Sequence, residues 1–211
     1  MSAKTPPPRV PRSLIVRLAQ EDFARNGPPG MVEMPLCYEF FVRNYRPTTM
    51  GPTPGNDTNI FDDLWTWITP GGMLAINANT DPSRYGWNAG VGKPMAVLNP
   101  GWWPFYRGAH KGRKPSMRQY DVEQGRRAGL PNDGRFSVTR TYAPGDHRNY
   151  QESGYYAINQ HDNRWAVGTT SEGCLTAHTE LYLPFMTQVW SDSKKAKMDT
   201  IWCGLIEGPI I

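Results

Sequence analysis

The rhythm of hydrophobic and polar positions changes twice along the chain. Residues 1–12 (MSAKTPPPRVPR) show no apolar periodicity and are proline-rich and basic, which predicts an extended or disordered arm. Ser13–Asn26 then spaces Leu14, Leu18 and Phe23 as one helical face, with Ser13 as cap and Gly27-Pro28 as stop. Residues 27–36 read as a linker. From Cys37 onward, short apolar runs alternate with Gly, Pro, Asn and Asp, the pattern of strands and turns. The predicted strands are Cys37–Asn44, Leu64–Thr69, Met73–Ala78, Lys93–Leu98, Met117–Tyr120, Phe136–Tyr142, Tyr155–Gln160 and Trp165–Thr170. Phe136, Val138, Arg140 and Tyr142 alternate with Ser137, Thr139 and Thr141, as a half-buried strand requires. Phe185, Met186, Val189 and Trp190 restore helical spacing over Pro184–Ser193, with Pro184 expected in the first turn. A last strand, Thr200–Ile206, follows. The expectation is a mainly β (α+β) fold: one β-rich domain over residues 37–211 with one or two flanking helices. Residues 1–36 supply the arm, a short helix and the linker.

Composition sharpens this reading. Glycine (21) and proline (20) are abundant, which favours turns and short strands over a helix bundle. No apolar run reaches the ~18–20 residues of a membrane span, so no stable membrane insertion is expected. The first residues lack the apolar core of a signal peptide, so the chain is expected to be made in the cytoplasm. The net charge of +4 suits an anionic partner such as a cell-wall polymer. It equally describes a solvated basic surface, and no nucleic-acid-binding motif accompanies it, so no nucleic acid is expected.

The three cysteines differ in setting. Cys37 (MPLCYEFF) and Cys203 (TIWCGLI) sit in apolar runs and are expected to pack as small hydrophobes. Cys174 sits in TTSEGCLT, a polar turn with glycine beside the thiol. Upstream, Tyr156–His161 reads as a strand ending in histidine. Two adjacent antiparallel strands would bring His161 to Cys174. That pairing has a chemical purpose, because the thiolate, not the thiol, is the nucleophile. An imidazole takes the proton, stabilises the thiolate as an ion pair and later protonates the leaving amine. Gly173 is expected to clear space for a substrate carbonyl, and backbone N–H groups of the turn to hold the oxyanion. Ser171 is placed to hydrogen-bond within the turn or to orient the histidine.

The string H-x12-C with S-x-G-C resembles the L,D-transpeptidase catalytic-domain family. More closely, it resembles a phage and prophage branch of cell-wall peptidase-like proteins with I-N-x-H before S-x-G-C. Further blocks of that branch are matched by Asn77-Ala78-Asn79-Thr80-Asp81-Pro82, by Leu98-Asn99-Pro100-Gly101 and by Gly108-Ala109-His110, with Arg118-Gln119 beyond. The resemblance spans roughly residues 38–206. It implies an L,D-transpeptidase-like domain with Cys174 as nucleophile and His161 as base, the other imidazole nitrogen held by a backbone carbonyl. The implied partner is a peptidoglycan stem peptide. Glu172 and Thr176 stand where transpeptidases of the family carry a histidine and an arginine, which favours hydrolysis over cross-linking.

Around this pair, His110, Arg118, Gln119, Asn159 and Asp81 are the candidate substrate-contacting residues. Arg118 suits a carboxylate, which arginine grips with two N–H groups. Asp81 equally suits a turn cap. A zinc site from His110, His161 and Asp81 lacks any metal-binding spacing, so no metal and no cofactor are expected. His147 and His178 are expected at the surface, and Trp65, Trp67 and Trp202 in the core. The expected role is a cysteine-dependent stem-peptide hydrolase, a phage lysin or virion-associated enzyme brought to the wall by a holin or the virion. The alternatives are an L,D-transpeptidase proper, or a non-catalytic phage structural or wall-binding protein that interacts with virion proteins.

Overall fold

A computed structural model describes residues 10–45, 61–82, 94–142, 145–163 and 171–208. The fold is mainly β, as the punctuated pattern predicts. In order it contains helix α1 (Arg12–Asn26), strands β1 (Tyr38–Arg43), β2 (Asp63–Thr69), β3 (Gly72–Ala78), β4 (Met95–Leu98), β5 (Gly101–His110) and β6 (Arg113–Gln119). Helix α2 (Val122–Arg127), β7 (Phe136–Thr141), β8 (Tyr150–Gly154), β9 (Asn159–Asn163), β10 (Leu175–His178), helix α3 (Thr179–Lys195) and β11 (Thr200–Glu207) complete it. Among the described residues, no helix is long and apolar enough to cross a membrane.

The main sheet has eight strands in the order β10-β9-β6-β5-β11-β1-β2-β3. Its two edges meet. Asn79, just past β3, exchanges backbone hydrogen bonds with Thr176 of β10 at 2.8 and 2.9 Å. The sheet therefore curls round, and α3 packs across the seam against β3 on one side and β6, β9 and β10 on the other. The smaller sheet, β4-β7-β8, fills the inside together with α3. Phe136 and Val138 of β7 join Phe105, Met117, Leu175, Phe185 and Val189 in that inner core. Burying such side chains contributes roughly 1.5–3 kcal/mol each.

Helix α1 belongs to the domain rather than to a detached arm. It lies on the outer face, against β5 and β11. Ile15, Ala19 and Asp22 form its buried stripe, one position round from the expected face. Its N-cap is Pro11, with no side-chain cap from Ser13. Asp22 accepts a 2.8 Å hydrogen bond from Trp102 Nε1, and Phe23 meets the same indole edge-on. This two-sided cover explains why β1 is buried at every position instead of alternating: α1 covers one face and the inner core the other.

Several expected boundaries move. The expected strand Tyr155–Gln160 divides into β8 before it and β9 at its end, because Ala157 adopts a left-handed φ of 54° that no strand continues through. The expected strand Trp165–Thr170 lies outside the described residues. Helix α3 begins at Thr179, capped by His178, so Pro184 is inside the helix and not in its first turn. Strand β5, which holds the Trp102–Tyr106 aromatic cluster, was legible only as apolar residues interrupted by Pro104. Cys37, Cys203, Trp65, Trp67 and Trp202 are buried as expected.

Candidate active site

The turn that carries Cys174 is built by hydrogen bonds to Ser171. Ser171 Oγ accepts from the Gly173 N–H at 2.9 Å and donates to the Cys174 carbonyl at 2.7 Å. Gly173 has a φ of +146°, and a Cβ there would sit 2.4 Å from the Ala96 carbonyl oxygen on β4. The glycine therefore lets the turn lie directly on the inner sheet. Clearing a path for substrate, its expected role, is not what the contact explains.

Strands β9 and β10 run parallel; the strand expected to pair antiparallel with the His161 strand, Trp165–Thr170, precedes the Cys174 turn and lies outside the described residues. The parallel pairing sets Leu175 opposite Gln160 and Thr176 opposite His161. Cys174 thus enters β10 beside Asn159, and the Asn159 backbone N–H donates to Cys174 Sγ at 3.4 Å. The thiol itself faces the Ala157 carbonyl at 3.8 Å. His161 lies on the same face of β9 as Asn159, by the alternation of a strand.

His161 Nδ1 is 2.8 Å from the Asp162 carbonyl oxygen. A carbonyl only accepts, so Nδ1 carries the proton and Nε2 is left as a base. The ring of His110, at the end of β5, stacks on that of His161 with centroids 4.0 Å apart and planes within 8°. The Asn159 side-chain amide donates to His110 Nδ1 at 3.2 Å. One asparagine therefore contacts the thiol through its backbone and the second histidine through its side chain.

These residues line an open groove of about 790 Å³. Its rim is formed by β4, the β5–β6 hairpin, residues 155–159 and the Ser171–Cys174 turn. Desolvation pushes the Cys174 thiol up to about 11; Glu172 adds to this, while the Asn159 N–H and Lys111 oppose it. Cys174 is only partly exposed, and the thiol is the form present at neutral pH. Burial also lowers the pKa of His161, against the opposing effect of its bond to Asp162. For His110, burial and then the charges of His161, Lys111, Arg113 and Arg118 bring the value down to about 4. These shifts favour a neutral thiol and neutral imidazoles, and the contacts of Cys174 Sγ are with the Asn159 N–H and the Ala157 carbonyl rather than with His161.

Of the candidates, Cys174, His161, Ser171, Gly173, His110 and Asn159 converge on this groove. Three do not. Asp81 is buried in an ion pair with Arg43 at 3.3 Å. Gln119 is buried and staples the chain behind the groove: its Oε1 accepts from the Tyr156 and Ile158 N–H groups, and its Nε2 donates to the Gly154 carbonyl. Arg118 lies over the Tyr106 ring and does not line the groove, though its charge reaches His110. Gln119 serves backbone groups, Asp81 a buried cation and Arg118 packs on a ring, none of which a residue type alone reveals. His178, expected at the surface, is buried as the cap of α3. The sequence reading missed Lys111, Arg113 and Arg140 as groove residues. Arg113 pairs with Asp162 at 3.5 Å, and Arg140 stacks on Tyr156 and pairs with Glu152. Their only sequence signal was position in a basic loop and, for Arg140, a charge within the otherwise apolar half of an alternating strand. Among the described residues, no group of three or more metal-ligating side chains comes together.

Comparison of the chain with protein-family models, with curated proteins and with solved structures found no match.

Proposed function

We propose that this protein is a cysteine-dependent hydrolase of peptidoglycan stem peptides, with Cys174 as nucleophile and His161 as general base. The observation that carries the reading is the presence in one groove of a thiol and an imidazole whose Nδ1 proton is committed to the Asp162 carbonyl, which leaves Nε2 to take a proton. Substrate in the groove displaces water and brings the carbonyl carbon to Sγ. The thiol proton passes to His161 Nε2 as the S–C bond forms. The Asn159 N–H, already on sulfur, favours the thiolate at that moment. The C–N bond then breaks, and His161 returns its proton to the leaving amine. Water, deprotonated by His161, resolves the thioester and regenerates the thiol. Lys111, Arg113 and Arg140 along the groove suit a peptide bearing free carboxylates.

Mass spectrometry of isolated sacculi digested with purified protein tests this. The expected result is soluble fragments cut within the stem peptide, released at least ~10³-fold faster by wild type than by Cys174→Ala. Equal rates would sink the proposal. An L,D-transpeptidase proper would instead incorporate an added D-amino acid in place of water.

One observation favours a second reading, a non-catalytic wall-binding or phage structural protein. The thiol is raised to about 11 and faces the Ala157 carbonyl rather than His161. That reading expects sacculus pull-down without products, and iodoacetamide labelling of Cys174 no faster than that of an ordinary exposed thiol.

A further inference from the structure

The stacked pair of histidines has a geometry that solvated surface histidines do not hold by chance. His110 lies flat on His161, is tied at Nδ1 to the Asn159 amide, and sits at the tip of β5 where the β5–β6 pairing shifts register between Gly108 and His110. The register shift re-aims the strand end, as bulges do. A Cβ at Gly108 would lie 2.6 Å from the Arg118 side chain, so the close approach of the strands there also favours glycine. Both His110 and the thiol are therefore referred to one residue, Asn159, and His161 is fixed between the Asp162 carbonyl in its plane and the His110 ring on its face.

We propose that His110 is a positioning residue for His161: its ring, lying flat on the imidazole, holds it in the orientation that leaves Nε2 available to Cys174. This rests on the reading of His161 as base. Two stacked imidazoles 4.0 Å apart do not both carry charge, so His110 serves this purpose as a neutral ring. When His161 is protonated during turnover, the π face of neutral His110 is an attractive neighbour for the cation. The charged groups facing the pair are Lys111 and Arg113 from the hairpin, Arg118 of β6 and Asp162 of β9, with the Cys174 thiol in the same groove.

The test uses full-length protein and two variants, His110→Ala, which removes the stack, and His110→Phe, which keeps a ring without nitrogen. Two readouts need no substrate: the ¹H NMR titration of the His161 ring, and the pH dependence of Cys174 carbamidomethylation by iodoacetamide. In His110→Ala, water reaches His161, so its titration midpoint rises and Cys174 alkylation at neutral pH slows about 10-fold. In His110→Phe both stay near wild type. Thermal melts verify that each variant folds. An unmoved His161 midpoint and unchanged alkylation in His110→Ala overturn the proposal. Equal damage in both variants also overturns it, since the stack would not be what matters. Sacculus turnover is measured alongside. If wild type releases no fragments while the two readouts respond as expected, the hydrolase reading fails and the positioning of His161 stands.

Discussion

Two polar clusters stand on the same curled sheet, and they differ in what surrounds them. Around Arg43, the space is closed. Its guanidinium donates to Thr80 Oγ1 at 2.9 Å, to Glu207 at 2.8 Å and to the Leu98 carbonyl of β4 at 2.7 Å, and it faces Asp81 at 3.3 Å. Asp63 accepts from the N–H and the hydroxyl of Thr80 and from the Asn44 N–H, and burial with the Asp81 charge raises its pKa. Around Cys174 a thiol and two imidazoles, also shifted by burial, open onto a groove. Perturbed titration alone therefore does not separate the two clusters; what distinguishes the second is an imidazole nitrogen left as an acceptor and room for another molecule. The Arg43 cluster joins the main sheet to the inner sheet through Leu98 and lies beside the Asn79 bridge that closes the curl. It holds the frame, and the groove uses it.

Breaking the closed cluster gives the largest expected effect on stability. Arg43→Ala leaves Asp81 and Asp63 buried without their cation and lowers unfolding free energy by about 3–5 kcal/mol, read by urea denaturation. A midpoint equal to wild type would erase the distinction between the clusters. His161→Gln does the reverse. It lowers sacculus turnover by about 10²–10⁴-fold while moving the urea midpoint little, because no core contact is lost. Parallel losses of stability and rate in that variant would make His161 structural.

Gly173→Ala tests the point where groove and frame touch. Its left-handed φ and the 2.4 Å approach to the Ala96 carbonyl predict a loss of about 2 kcal/mol, together with slower Cys174 alkylation. A variant as stable as wild type would show that the turn does not rest on β4 in solution.

The smallest effect concerns Glu39, a second buried charge-bearing group on β1. It accepts hydrogen bonds from Gln160 at 2.7 Å and Trp65 at 3.2 Å, yet burial raises its pKa to about 8. The folded protein thus binds a proton that the unfolded chain has released. Stability contributed by this proton is full below the ordinary glutamate range and is lost as pH rises from about 4.5 to about 8. Glu39→Gln flattens that decline and is more stable than wild type at pH 8 by about 1–2 kcal/mol, measured by urea unfolding at several pH values. An unchanged slope would mean Glu39 is ionised in the fold.

The blocks read as motifs divided along the same line. Asn79, Thr80 and Asp81 close the curl and complete the Arg43 cluster, and Asn99 ties β5 to the inner sheet through Ser137 and Thr139. The Gly108–His110 block and the Asn159–His161 block line the groove. All were visible as unusual strings, but a string of polar residues reads alike whether its partners are backbone or substrate.

The amino-acid sequence by itself determined the β-rich class, most strand positions, the burial of Cys37, Cys203 and the strand tryptophans, and the choice of Cys174 as the exceptional thiol. Those rest on local physics: period, turn residues and the polarity of immediate neighbours. Tertiary structure decided the rest. The parallel pairing of β9 with β10, the docking of α1 and the stacking of His110 on His161 join residues distant in the chain. Their energies depend on what the curled sheet brings together. Cys174 was conspicuous in its own turn, but the burial that raises its thiol and its contact with Asn159 exist only in the folded chain.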